Sequence, residues 1–228
     1  EFAFAIKIMH FCNAYGEVGP LVAIVAISDF PVGEFHCEEV KTFSSSTSVG
    51  VSGYIYFTST RAGNKNMWVH FFLNILIPTI LKSGMAHDTH SLGYFLSTDS
   101  EDIIINQAFH PEVADSLNVN KIAYARIGAS LTSIHQACDR QRTFVKSKAF
   151  VKKFKAASSS DFIEGYGTIR LQFATAFKNL RSRVDVSDSF EEKVTNALVL
   201  VMEALKASIT TDVIQNGFKC CGQARSEE

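Results

Sequence analysis

Two aspartates in this sequence have a position that suits chemistry on phosphate groups. Asp99 directly follows the apolar stretch GYFLST, and Asp139 lies near the start of a predicted long helix. Carboxylates that converge bind Mg²⁺ or Mn²⁺, because hard divalent ions prefer oxygen ligands, and paired metals stabilise the attacking and leaving oxygens of phosphodiester cleavage. Spacing alone favours a plainer alternative, in which Asp99 caps a turn and Asp139 lies on a solvated helix surface.

A run of basic residues follows Asp139 in the same predicted helix. These side chains can spread over one broad side of the helix, where they suit contacts with DNA phosphates that supply affinity without sequence information. The usual alternative for such a run is a solvated helix face. The predicted nucleic-acid-binding residues are Arg140, Arg142, Lys146, Lys148, Lys152 and Lys153.

The composition indicates a folded protein rather than a disordered one. Apolar residues make up 46% of the 228 residues, and the net charge is −1. Attraction to a polyanion must therefore come from local clustering of charge. The five cysteines form no C-x2-C pair, which favours reduced thiols in an intracellular setting. The most apolar run, at residues 69–81, is shorter than the roughly 20 residues of a membrane span, so no span is predicted.

Other constellations of reactive residues are weaker. The HDTH stretch at residues 87–90 and the vicinal pair Cys220-Cys221 contain metal-binding types, but neither has a further ligand nearby in the sequence. The chain contains no G-x-S-x-G elbow and no phosphate-binding G-x4-G-K-[ST] loop. These absences leave the two aspartates as the leading candidates.

Hydrophobic periodicity predicts the elements that must position the aspartates. Apolar residues at spacings of three and four predict a helix over 65–82, with Trp68 in the core and a kink or an end at Pro78. A strand–helix–strand unit from Leu92 onward predicts a parallel portion of sheet, whose strands share one carboxyl edge. Gly217 is expected to stop a last short helix. The further predicted elements are a hairpin of strands at 2–12 and 21–28, a strand at 53–60 and a helix at 111–119.

Several motifs, taken in order, resemble the catalytic domain of DDE-type transposases of the pogo and centromere-protein-B-like group. The aspartates belong to two of them, a D-S-E strand end and an A-S-x-T-x-x-x-Q-x-x-D helix. The resemblance extends from about Asn13 to Gln223. The matching stretches are NAYGEVGP (13–20), GYIYFTSTRAGN (53–64), WVHFFLNILIP (68–78), TDSE (98–101), ASLTSIHQACDRQRTFVKSK (129–148) and IQNGFKCCG (214–222).

The resemblance implies an RNase H-like fold, a mixed sheet flanked by helices, that cuts and joins DNA strands with two Mg²⁺ or Mn²⁺ ions held by three carboxylates. Asp99 and Asp139 match the second and third of these catalytic metal ligands. The first carboxylate of the family lies on a strand before N-A-x-G that this chain does not contain. We therefore expect an RNase H-like core at residues 1–155 that lacks its first strand, followed by a helical extension at 156–228.

The missing strand is central in an RNase H-like sheet, so its neighbours would have unpaired edges. We expect that another segment supplies this strand, that the fold is remodelled, or that the sequence is a fragment of a longer protein. A homo-oligomer or a partner chain that completes the sheet would add a strand beside residues 2–12 or 92–98. Two functions follow from the resemblance. One is metal-dependent DNA cleavage and strand transfer by a nuclear, incomplete or inactive transposase-derived domain. The other is a domesticated, non-catalytic descendant that acts as a nucleic-acid-binding or structural subunit of a larger assembly.

Overall fold

The structure is a computed structural model that describes residues 4–9, 11–17, 19–40, 53–82, 93–98, 102–127, 189 and 211–222. The chain divides into two compact units. The first comprises Glu1–Phe11 and Val18–Gly128, and the second comprises Cys12–Glu17 and Ala129–Glu228. The described strands all belong to the first unit.

The first unit contains a four-stranded sheet formed by β1 (Phe4–Met9), β2 (Leu21–Ile27), β3 (His36–Val40) and β4 (Gly53–Thr58). The strand order is β1-β2-β4-β3, with β1 antiparallel to β2, β2 parallel to β4, and β4 antiparallel to β3. Central β2 has the sequence LVAIVAI, and its first five residues are buried. A strand covered on both faces requires such a continuous apolar run.

The antiparallel pairing of β1 with β2 confirms the predicted hairpin, and β4 confirms the predicted strand at 53–60. Strand β3 was not predicted, because its sequence HCEEV is polar and lacks the alternation of a half-buried strand. It lies at the end of the sheet, where His36, Glu38 and Glu39 are exposed. Charged side chains are typical of such edge strands, since they discourage pairing with another chain.

The predicted helix over 65–82 is confirmed as a continuous helical stretch. It comprises α1 (Lys65–Phe71), a π-helical turn (Phe72–Leu76) and α2 (Ile77–Lys82). The helix does not end at Pro78. Because proline has no N–H to donate, the hydrogen-bond ladder must adjust nearby, and the Ile77 N–H bonds to the carbonyl of Phe72 in the preceding π-helical turn.

The expected strand–helix–strand unit forms β5 (Tyr94–Thr98), α3 (Asp102–Ala108), α4 (Pro111–Val119) and β6 (Ile122–Arg126). Strands β5 and β6 pair in parallel, as predicted. Helix α4 begins at Pro111, which suits a first helical position because its missing N–H would have no partner there. Helix α3 was not predicted, since the short apolar run DIIINQA does not distinguish a helix from a strand.

Both sheets of the first unit pack on one hydrophobic core. Its members come from β2 and β4, from the long helical stretch and from the β5–β6 unit. Trp68 is only 1% exposed, which confirms its predicted core position, and its Nε1 donates to the carbonyl of Ala62 at 2.8 Å. Asn64 caps the start of α1, where its Oδ1 accepts from the N–H of Met67 at 2.9 Å.

The second unit contains helix α5 (Thr211–Cys220) and the turn at Cys12–Glu17. The prediction that Gly217 stops this helix is wrong, because the helix continues to Cys220 and is followed by a turn at Gly222 with φ of +69°. Gly217 is instead buried within the helix. In the turn, the carbonyl of Tyr15 accepts from Nε2 of Gln215 at 2.9 Å.

The described elements confirm the predicted α/β class, with helices and a mixed sheet. The predicted boundary at residue 155 lies outside the described residues and stays a prediction. Within the described ranges, no helix is both long enough and apolar enough to cross a membrane. Cys12, Cys37 and Cys221 are not joined in disulfides.

Candidate functional site

The carboxyl edge of the β5–β6 pair is the candidate site. The parallel register pairs Thr98 with Arg126, and the ladder extends one residue further, because the N–H of Ile127 donates to the carbonyl of Thr98 at 3.0 Å. Both strands are therefore hydrogen-bonded to their last residues. In open α/β sheets, functional groups gather at this edge. Asp99 follows Thr98 directly in the chain.

The predicted site residues themselves lie outside the described residues. This applies to both aspartates and to the basic run, so their separation and their contacts stay predictions. The HDTH stretch also lies outside. In the part of the chain that the structure describes, no group of three or more His, Cys, Asp or Glu is placed to hold a metal ion. The predicted site residues are Asp99, Asp139, Arg140, Arg142, Lys146, Lys148, Lys152 and Lys153.

Tyr124 ties the two strands together at this edge. Its hydroxyl lies 2.7 Å from Oγ1 of Thr98, a hydrogen bond between side chains of neighbouring strands. The ring packs edge-on against Phe72 and Phe109, with centroids 6.4 and 6.1 Å away. Burial raises the pKa of Tyr124, although the hydrogen bond to Thr98 and the charge of Arg126 oppose that shift. The phenol therefore stays neutral and available for hydrogen bonding at neutral pH.

Arg126 is the exposed basic residue at the same edge. It lies two residues after Tyr124 on β6, so both side chains lie on one face of the sheet. Neither Tyr124 nor Arg126 was predicted as a site residue from the sequence. The signal was present in KIAYARI, where Tyr and Arg alternate with small apolar residues, but the pattern alone does not tell which residue of β5 each one opposes.

A second polar cluster lies between the four-stranded sheet and α1. The hydroxyl of Tyr56 lies 2.8 Å from Nδ1 of His70, and the Cys37 side chain also hydrogen-bonds to Tyr56. The ring of Phe35 packs against both rings, with centroids 5.8 Å from Tyr56 and 5.2 Å from His70. The cluster therefore fastens the helix to β3 and β4.

Burial keeps every member of this cluster neutral. It raises the pKa of Cys37 and of Tyr56, and it lowers the pKa of His70. The tautomer of the neutral His70 ring decides whether the Tyr56 hydroxyl donates to Nδ1 or accepts from it. A thiol with a raised pKa is a poor nucleophile, because the thiolate is the reactive form. We therefore interpret the cluster as structural.

The outer strands of the two sheets are the places where the predicted partner chain would add a strand. In the described sheet, β1 is a terminal strand that pairs only with β2, and the β5–β6 sheet has two strands. The half-buried side chains of β1 at Ile6, Ile8 and Met9 are apolar, whereas β3 at the opposite end is acidic and exposed. Lys7, between Ile6 and Ile8, supplies to β1 a charge of the kind that usually protects an edge strand.

Comparisons with models of known protein families, with curated proteins and with solved structures find no match for the chain.

Proposed function

We propose that this chain is a transposase-derived domain for metal-dependent DNA strand cleavage and transfer, built on an RNase H-like core. The observation that supports this proposal is the position of Asp99. It follows the last residue of β5 at an edge where β5 and β6 are parallel and paired up to Thr98 and Arg126. Asp139 follows β6 in the chain.

In this proposal, Asp99 and Asp139 hold Mg²⁺ or Mn²⁺, which suits hard carboxylate oxygens. The metal, when bound, stabilises charge on the attacking and leaving oxygens of the phosphodiester. Two carboxylates are a partial ligand set, and no third ligand is assigned. The basic residues that follow Asp139 bind DNA phosphates and orient the strand along the site.

A second candidate function is that of a non-catalytic descendant, a nucleic-acid-binding or structural subunit of a larger assembly. One feature favours it: β1 is a terminal strand in the described sheet, where it pairs only with β2. A homo-oligomer or a partner chain that adds a strand beside β1 or β5 would cover such an edge.

A plasmid-nicking assay tests the first candidate. The wild-type chain is expected to nick supercoiled DNA with Mg²⁺ or Mn²⁺ and to lose this activity with EDTA. Asp99→Asn and Asp139→Ala should abolish nicking. Asp115→Asn, which changes an exposed acid on α4, is the matched control and should retain it.

The outcome separates the two functions. Loss of nicking in the Asp115 variant as well would mean that charge or folding, rather than the proposed site, is responsible. A wild-type chain that folds, binds DNA and does not nick it supports the non-catalytic function instead.

A further inference from the structure

Among the described polar groups at the β5–β6 edge, Arg126 is exposed, whereas Thr98 and Tyr124 are half-buried. Its register partner is Thr98, the residue directly before Asp99. Among the described residues, no carboxylate forms an ion pair with its guanidinium. The exposed guanidinium has five donors, which match the oxygens of a phosphate.

The strand ends hold Arg126 in a defined position. The Ile127 N–H bond to Thr98 fixes the backbone one residue after the arginine, and the Tyr124–Thr98 hydroxyl bond fixes the strand two residues before it. Tyr124 is itself held by Phe72 and Phe109. A side chain on such a paired strand end loses less freedom on binding than one on a loose loop.

We propose that Arg126 binds a DNA phosphate at the carboxyl edge of β5 and β6, an inference that rests on the proposed function. Arg126 would then be a DNA-binding basic residue on β6, in addition to the basic residues predicted after Asp139. The contact carries no base specificity, because it is made to the backbone. Its effect is to anchor the strand beside Thr98, where the proposed chemistry takes place.

Lys121 is the matched control within the same segment. It directly precedes β6 and is also exposed, but it lies at the amino end of the strand, opposite the proposed site. Its carbonyl accepts from the N–H of Tyr94 at 3.0 Å, a backbone bond that a side-chain substitution leaves in place. Lys121→Gln and Arg126→Gln remove the same formal charge from the two ends of one strand.

Fluorescence anisotropy with labelled duplex DNA of arbitrary sequence measures the contact. For Arg126→Gln we expect the slope of log affinity against log salt to fall by about 0.9, with about fivefold weaker binding near about 150 mM salt, as the loss of one phosphate contact predicts. Arg126→Lys should restore most of the slope, and Lys121→Gln should leave slope and affinity unchanged. Circular dichroism of each variant verifies the fold.

The possible failures are distinguishable. The role of Arg126 is overturned if DNA affinity falls equally in Arg126→Gln and Lys121→Gln, or if Arg126→Gln binds DNA as the wild type does. Either result leaves the proposed function standing. A folded wild-type chain that does not bind DNA overturns both. If Arg126→Gln misfolds, Arg126→Lys becomes the test. A folded Arg126→Lys variant with a reduced slope of log affinity against log salt also overturns the inference, because a positive charge at this position is then insufficient.

Discussion

Two tyrosines with hydrogen-bonded hydroxyls lie in contrasting surroundings. Tyr56 is 0% exposed, and its hydroxyl meets His70 in a neutral cluster between the sheet and α1. Tyr124 is half-buried, and its hydroxyl lies 2.7 Å from Oγ1 of Thr98 at the carboxyl edge of β5 and β6. The Tyr56–His70 bond joins a fully buried ring to a half-buried one, and the Tyr124–Thr98 bond lies where a strand leads into the proposed site.

The difference in burial indicates that Tyr56 contributes mainly to folding stability and Tyr124 mainly to the position of the strand end. A fully buried hydroxyl costs free energy when its partner is lost, because the remaining polar atom has no water to replace it. A half-buried hydroxyl can turn to water, so its loss costs less stability. It does, however, release the strand end that it fixes. We therefore expect Tyr56 variants to affect mainly folding, and Tyr124 variants to affect mainly activity at the edge.

Truncation to alanine should give the largest effect. Tyr56→Ala removes a fully buried aromatic ring and should lower the free energy of unfolding by about 3–5 kcal/mol. Tyr124→Ala removes a half-buried ring and should lower it by about 2 kcal/mol. Urea unfolding followed by circular dichroism measures both values. Equal losses would remove the distinction between the two regions.

Removal of the hydroxyl alone should sharpen the comparison. Tyr56→Phe leaves Nδ1 of His70 unpaired and should lower the unfolding free energy by about 1–2 kcal/mol, with nicking unchanged in the folded protein. Tyr124→Phe should lower it by less than about 1 kcal/mol, yet reduce nicking about tenfold, because small displacements of reacting groups are costly. Full activity in Tyr124→Phe would contradict its positioning role.

The pH dependence of stability should give the smallest effect. Burial lowers the pKa of His70 below its ordinary value of 6.5, so the unfolded chain binds its proton more readily than the folded chain does. Stability should therefore be complete above that ordinary value and should decline as the pH falls from there towards the lowered pKa. His70→Gln should remove this part of the decline.

His36→Gln is the control for the pH measurement. His36 is exposed on β3, with its Nε2 3.2 Å from Oε1 of Glu38, and it lies outside the Tyr56 cluster. Unfolding midpoints from pH 7 downwards should therefore follow the wild-type trend in this variant. If the decline in stability disappears in His36→Gln and persists in His70→Gln, His36 rather than His70 is the group that binds the proton, and the prediction is contradicted.

Periodicity in the sequence predicts the elements that bury one face, and it misses those decided by tertiary pairing. The helix over 65–82 and helix α4 carry clear local signals, an apolar face and Pro111 respectively. Strand β3 forms by pairing with β4 despite its polar sequence. Gly217 lies buried within α5, although the local preference of glycine favours a helix end. Local preference is overridden in both cases.

The site shows the same limit. The position of Asp99 after a strand can be predicted from apolar residues followed by polar ones. The Tyr124–Thr98 bond and the pairing of Arg126 with Thr98 depend on the register between β5 and β6. A shift by one residue would move each side chain to the opposite face, and no local pattern sets that register.

A structure of the chain with Mn²⁺ tests the proposed site most directly. We predict that the carboxylates of Asp99 and Asp139 lie about 4–6 Å apart and bind the same metal site. Carboxylates that lie far apart, or a Lys or Arg side chain that fills the space between them, would contradict catalysis at this edge.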